Sequence, residues 1–256
     1  YLFTEELKNT VVTAALLDCE EQIVVSKNFQ IERDGSWNHY EGAFTVDTTA
    51  NDLRFALLLP HKGKVYIDFV SMFPENTFCG HKNGLREDVA GMLRDLRPDF
   101  VRWPGGCIVE GLTMDNRIKW KETIGDIVKR PGEYNLWGYR STYGFGYHEF
   151  LQFCEDIDAD GLFVCNAGMS CLFRNGDYWE EENRIDNLIQ DALDAVEYAL
   201  GDTTTVYGKR RAENGHAAPF PLKYVEVGNE NVGLRYVKNY NRFYKAIKEK
   251  YPQIEV

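Results

Sequence analysis

Apolar and polar residues alternate with period two from Thr10 to about Phe73, and the period becomes helical after Gly84. TVVTAALL, FQIE, WNHYEGAFTV, LRFALLL and KVYIDFVSMF are β-branched or aromatic and read as strands. The segments DGS at 34–36, TTAND at 48–52 and PHKGK at 60–64 supply turns between them. About five short strands at this spacing predict part of an antiparallel β-sandwich or jelly roll, which in full has eight. From Gly84, GLREDVAGMLRDLRP sets Leu85, Val89, Leu93 and Leu96 on one helical face and stops at Pro98. FVRWPGG then reads as a strand entering a tight loop, followed by an aromatic-rich excursion over about 112–144.

HEFLQFCEDI reads as a helix and GLFVCNAGM as the next strand. NRIDNLIQDALDAVEYALG predicts a helix with Ile185, Leu188, Ile189, Ala192, Val196 and Ala199 inward and Gly201 as a C′ stop. A polar Gly-rich loop leads to KYVEVGNEN, then to a helix carrying Tyr240, Phe243, Tyr244 and Ile247, and to the start of a strand at IEV. This alternation implies βα units around a parallel sheet. Three strands end in the tips PGGC, CNAGM and GNEN, where function gathers in barrels and in open sheets. No GxGxxG or GxxxxGK[ST] follows a strand, so a (β/α) barrel is the preferred architecture. The chain stops as the fourth such strand begins, so a piece of a longer protein is expected, half of a barrel behind part of a sandwich.

Composition removes several alternatives. A formal charge of −11 across 256 residues, with no basic stripe, argues against nucleic acid as a partner. No apolar run approaches the ~18 residues of a spanning helix, so membrane insertion is not expected. Six cysteines form no CxxC pair, most sit in apolar surroundings, and five histidines form no HxH or HExxH; free thiols and no metal or cofactor are expected. YLFTEELKNTVV lacks the marks of a signal peptide. Aromatic content of 14% is mostly core packing, with some rings free to line a sugar site.

The stretch KYVEVGNEN holds the sharpest chemistry. Alternation sends Tyr224, Glu226, Gly228 and Glu230 to one face, and Val225, Val227 and Asn229 to the other. The valines suit a helix-covered side, which turns the glutamates toward the barrel axis with Glu230 at the mouth. A carboxyl in a partly desolvated cleft there suits general-acid work, and Asn229 offers a sugar both donor and acceptor. Glu226 and Glu230 are not a hydrolytic pair, because four residues of strand separate them by about 13 Å. Retention needs about 5 Å and inversion about 6.5–9.5 Å. Glu226 is expected to be held by a cation such as Arg102. Read alone, the tetrapeptide is equally a helix N-cap.

FVRWPGGCIVEG at 100–111, WKETIGDIVKRPGEYNLWGY at 120–139, GYHEFLQFCED at 146–156 and RRAENGHAAPFPLKYVEVGNEN at 210–231 change those odds. In this order, and over nearly all of 80–256, they resemble glycoside hydrolase family 51, the α-L-arabinofuranosidases. KGKVYIDFVSMFPENTF resembles the end of the carbohydrate-binding-module-like β-sandwich that one branch inserts after its first barrel strand. The resemblance implies a partial (β/α)8 TIM barrel, strands 2 to 4 and the onset of 5, over 77–256, preceded by the C-terminal part of a jelly-roll sandwich over 1–76. It implies Glu230 as catalytic acid/base, with Asn229, Cys107 and Trp137 in substrate binding. Many relatives have Asn where Cys107 stands, which leaves the thiol between a subsite role and packing. Asn166 joins the substrate-binding set from its position at the tip of the third strand.

The family retains anomeric configuration, using a second glutamate on a later strand that this sequence does not contain. The expected function is removal of terminal α-L-arabinofuranosyl residues from arabinose-containing glycans such as arabinan, by a parent longer than this chain. The family often forms oligomers, which makes a homo-oligomer an expected partner, and secretion or periplasmic export would suit the role. A non-catalytic carbohydrate-binding protein and another clan member, such as an endoglycanase, are the alternatives.

Overall fold

The structure, a computed structural model, describes residues 1–5, 10–32, 35–47 and 49–256, which divide into two compact units, Tyr1–Phe73 and Pro74–Val256. Asp34 of the DGS turn and Thr48 of the TTAND turn lie outside the described residues.

The first unit is all β. Its strands are β1 (Leu2–Phe3), β2 (Thr10–Leu17), β3 (Ile23–Ile31), β4 (Arg54–Leu58) and β5 (Tyr66–Ile67). An antiparallel sheet runs β3-β2-β4, and β1 pairs with β5. Central β2 buries Val12, Ala14, Ala15 and Leu16. The expected FQIE strand begins six residues earlier, at Ile23. Its hairpin has no Gly or Pro signal; Asp18 Oδ1 makes the turn by accepting from Glu20 N and Gln22 N, both at 2.9 Å. WNHYEGAFTV does not form the expected strand: only Asn38 bridges, to Leu2. KVYIDFVSMF shrinks to β5, because Phe69 enters the left-handed region at φ 44° and ends the pairing.

The second unit mixes helices with a parallel sheet. Its elements are α1 (Glu87–Asp95), β6 (Phe100–Trp103), α2 (Gly106–Glu110), β7 (Glu133–Tyr134), β8 (Arg140–Ser141), α3 (Tyr147–Asp156), β9 (Asp160–Cys165), α4 (Glu182–Leu200), α5 (Val206–Glu213), β10 (Leu222–Val227) and α6 (Gly233–Lys250). The sheet runs β10-β9-β6, all parallel, with Trp103 beside Phe163 and Val227 beside Cys165. Beyond β10, Tyr224 bridges Glu255 in parallel. The described strands form an open sheet, not a closed barrel.

Helices cover one face of that sheet. Trp103, Phe163, Val225 and Val227 point into this layer and are buried against Tyr147, Phe150, Ile185 and Phe243. Trp103 stacks on Phe150 with ring centroids 5.8 Å apart. Ile185, Leu188, Ile189, Ala192, Val196 and Ala199 of α4 all face this core. Gly201 ends α4, but at φ −64° and not in a left-handed cap. Its missing Cβ matters for packing, since that atom would lie 2.5 Å from Glu197 O.

Two helices depart from expectation. Helix α1 buries only Ala90, while Val89, Leu93 and Leu96 are exposed at 47, 43 and 75%. The small Phe78–Phe153 cluster beneath α1 admits one narrow strip of it, with Leu85 at the margin. Helix α5 occupies what reads as polar loop. Thr205 caps it by accepting from Gly208 N, and its Arg211 is wholly buried. That guanidinium donates to the carbonyls of Tyr198, Ala199, Gly201, His216 and Ala217 at 2.7–3.2 Å, helping to satisfy the end of α4, where Ala199 O also accepts from Phe220 N at 2.8 Å. No described helix is long and apolar enough to cross a membrane.

Candidate active site

The face of the sheet away from the helices carries the charge. Arg102 on β6 and Glu226 on β10 reach toward each other over β9, with Nε donating to Oε2 at 2.6 Å and Nη2 to Oε1 at 2.5 Å. This is the partner anticipated for Glu226. The fork geometry fixes both side chains in one plane. The same Nη2 donates to Asn229 Oδ1 at 3.0 Å, carrying the network up to the strand end.

Period-two alternation stops at Val227. Gly228 has φ 77° and Glu230 has φ 49°, so the chain turns over in the left-handed region on either side of Asn229. Glycine is required at 228, where a Cβ would lie 2.4 Å from Asn231 Oδ1 and 3.0 Å from the Ala167 Cβ. The turn puts Asn229 on the side of Glu226 and Arg102, not with the valines as alternation predicts. Glu230 is exposed, which corrects the expectation of a desolvated cleft around it. Asn229 Nδ2 approaches Glu230 Oε2 at 3.5 Å, and the Cys107 thiol donates to the same oxygen at 3.8 Å. Burial pushes the Cys107 thiol up to about 12, and neighbouring Cys171 and the carboxylates of Glu110 and Glu230 add to it. The group therefore faces Glu230 as a donor.

Beneath these side chains lies Glu110, which the sequence reading passed over. It is 1% exposed and accepts from Asn231 Nδ2 at 2.8 Å and Asn229 Nδ2 at 3.3 Å. Burial raises its pKa, opposed by the hydrogen bonds from Asn229, Asn231 and Cys171. Cys107 and Glu110 stand three residues apart on α2, a helical spacing that places them on one face. That spacing was legible; the one-turn helix that gives it meaning was not.

Asn166 does not serve as expected. It is buried, its Nδ2 donates to Val109 O at 2.9 Å and Met169 O at 3.0 Å, and its Oδ1 accepts from Gly168 N and Met169 N. With every polar group spent on backbone, it fastens the β9 tip to α2 and has nothing left for a sugar. Trp137 stands on the β7–β8 hairpin, 47% exposed, with its backbone N–H donated to Asn135 Oδ1 at 2.9 Å. Among the described residues no hydrogen bond or ring contact joins it to the Arg102–Glu230 network. A cavity of about 400 Å³ runs along β10 beside α6, with Glu226, Gly228, Glu230, Tyr236, Tyr240 and Glu255 in its wall. Glu230 thus lies between this open cavity and the buried Cys107–Glu110 side.

Residues 92–256 match the family described as alpha-L-arabinofuranosidase 1 domain. The chain is 40% identical to alpha-L-arabinofuranosidase 2 of Arabidopsis thaliana over 223 residues, 86% of this chain and 32% of that protein. It is 36% identical to the extracellular exo-alpha-L-arabinofuranosidase of Streptomyces chartreusis over 259 residues, 96% of this chain and 31% of that one. Among solved structures, an arabinose-bound MgGH51 α-L-arabinofuranosidase superposes with a TM-score of 0.85 at 28% identity, over 99% of this chain and 42% of that chain. The Thermotoga maritima α-L-arabinofuranosidase in complex with arabinose gives a TM-score of 0.53 at 26% identity over 67% of this chain. The chain spans about a third of the length of the curated relatives it matches.

Proposed function

The chain belongs to the α-L-arabinofuranosidases of glycoside hydrolase family 51, and on that premise we propose that it supplies the acid/base side of a retaining active site. In this reading the complete enzyme removes terminal α-L-arabinofuranosyl residues from arabinose-containing polysaccharides and oligosaccharides. The observation that carries it is the network Arg102–Asn229–Glu230 with Cys107, which presents one open carboxyl at the C-terminal end of a parallel strand. Glu230 protonates the departing glycosidic oxygen and then takes a proton from the water that attacks the glycosyl-enzyme. Asn229, pinned by Arg102, holds a sugar hydroxyl beside it, and Cys107 and Trp137 complete the substrate-binding set. No metal or organic cofactor takes part in this chemistry.

The nucleophile belongs to the remainder of the relatives' length. Glu110 does not replace it, because the group is buried, 1% exposed, beneath Asn229 and Asn231. Residues 77–256 form strands 2 to 4 of a (β/α)8 barrel with the onset of strand 5 at Glu255 in this reading. Residues 1–76 are the C-terminal part of a carbohydrate-binding-module-like jelly roll, and the enzyme is compatible with a homo-oligomer. The test is release of nitrophenol from a nitrophenyl α-L-arabinofuranoside by the enzyme at its relatives' full length. Glu230→Gln is expected to lower kcat by about 10²–10⁴, while the 256-residue chain alone gives no measurable turnover. A full-length protein that binds arabinosides without cleaving them, with Glu230→Gln altering binding only, would instead be a carbohydrate-binding protein.

A further inference from the structure

Two thiols and a carboxyl meet beside Glu230, although the sequence offers no metal-ligand spacing. Cys107 and Glu110 come from α2, Cys171 arrives from the loop after β9, and one donor atom of each lies within 4.8 Å of the other two. Cys171 and Glu110 are each 1% exposed and Cys107 is half-buried. Their backbone is fixed: Cys171 N donates to Gly111 O at 3.0 Å, and Asn166 Nδ2 holds Val109 O at 2.9 Å. Asn229 and Asn231 orient the Glu110 carboxyl from outside, and the buried Asn231 Oδ1 has no hydrogen-bond partner in the structure.

We propose that Cys107, Cys171 and Glu110 form a binding site for a thiophilic divalent cation of the zinc class. Two sulfurs and one carboxylate oxygen match a tetrahedral zinc site with its fourth position left to solvent, and they disfavour the hard cations magnesium and calcium. Each thiol releases its proton to solvent as its S–Zn bond forms, with no change of oxidation state. The asparagines bonded to Glu110 are the outer partners that such a carboxylate ligand requires. Glu230 Oε2 is 3.8 Å from Cys107 Sγ, so the site adjoins the strand-end carboxyl. The binding site does not rest on the proposed function.

Titration of zinc into the 256-residue chain, followed by calorimetry, tests the site, with cobalt as a probe of thiolate ligation. One zinc per chain is expected, displacing cobalt and its thiolate-to-metal charge-transfer band, while magnesium does neither. Cys171→Ser and Glu110→Gln are each expected to weaken zinc binding at least tenfold, and Asn231→Ala by about 10–100-fold. Because Cys171 is buried, Cys107→Ala with an unchanged circular dichroism spectrum provides the variant that does not depend on refilling the core. Zinc binding that survives Cys107→Ala, or that is lost on replacing the exposed Cys19 and Cys79, would overturn the assignment, as would no stoichiometric binding. Binding without any arabinofuranosidase activity in the full-length protein would leave the site standing and remove the function proposed beside it.

Discussion

Replacing Gly106 by alanine separates the geometry of the site from the stability of the fold. Gly106 is the first residue of α2, and a Cβ built there lies 2.6 Å from Asn229 Oδ1 and 2.9 Å from both Cγ and Nδ2. Carbon and its neighbours pack comfortably at about 3.5–4.0 Å, so the amide must move by the better part of an ångström. Asn229 then cannot keep both its 3.0 Å bond from Arg102 and its 3.3 Å bond to Glu110. The first is charge-assisted but on a half-open face, worth about 1 kcal/mol, and the second about 0.5 kcal/mol. Alanine returns about 0.5 kcal/mol of helix propensity. The net cost is about 1 kcal/mol, or about 2–4 °C in Tm for a unit of this size. Activity is another matter, because a misplacement of about 1 Å at a reacting centre costs on the order of 10²-fold. The assay is kcat/KM on a nitrophenyl arabinofuranoside at full length beside a thermal melt, with Gly91→Ala as control, whose Cβ meets nothing nearer than 3.9 Å. If Gly106→Ala keeps kcat/KM within about threefold of the parent, Asn229 does not position the substrate.

Arg211→Met removes a donor from five backbone carbonyls inside the protein, of which Ala199 O keeps a bond from Phe220 N; a loss of about 3–5 kcal/mol is expected, read as a Tm lowered by roughly 10 °C, and a shift under 3 °C would mean that the α4 end is satisfied without it. His148 offers a pH test: burial lowers its pKa from 6.5 to about 4, outweighing nearby Glu149, and Nδ1 contacts the Tyr198 hydroxyl at 2.7 Å. Because the folded state resists a proton that the unfolded chain accepts, stability is complete above pH 6.5 and is lost as pH falls toward about 4. Urea melts are expected to show about 2–3 kcal/mol lost between pH 7 and 4.5 in the parent beyond that in His148→Gln, and parallel curves for the two proteins would refute the assignment.

Sequence pattern reached Glu230, Arg102 and Glu226 because each sits where strand periodicity still holds or where a strand-end glutamate is itself the signal. It failed at Asn229. The φ of 77° at Gly228 cancels the alternation that sent Asn229 outward, and no period computed over KYVEVGNEN contains that turn. Asn166 failed differently: an asparagine at a strand tip looks like a sugar contact or a loop fastener until its four hydrogen bonds to backbone atoms are seen. Helix α5 stayed hidden because its residues are mostly polar and its one deeply buried side chain is an arginine, which hydropathy counts as surface.

Glu110 and Cys171 were beyond pattern for a deeper reason. Their chemistry depends on three chain segments meeting: a one-turn helix after Pro-Gly-Gly, the loop after β9 and the Asn-Glu-Asn turn after β10. A parallel sheet brings such segments together because its connections return each strand in the same direction, so that all the tips emerge at one end. The strand tips PGGC, CNAGM and GNEN were visible as separate turn signals, and parallel pairing alone converts them into one site. What pairing does not specify is which side chains go down and which go up. Here the strand-end glutamate, Glu230, goes up into solvent, while the helix glutamate, Glu110, goes down to hold the two asparagines flanking it. A buried carboxyl that holds both asparagines and an exposed carboxyl that stands between those asparagines thus meet at the turn after β10, and it is burial that separates them.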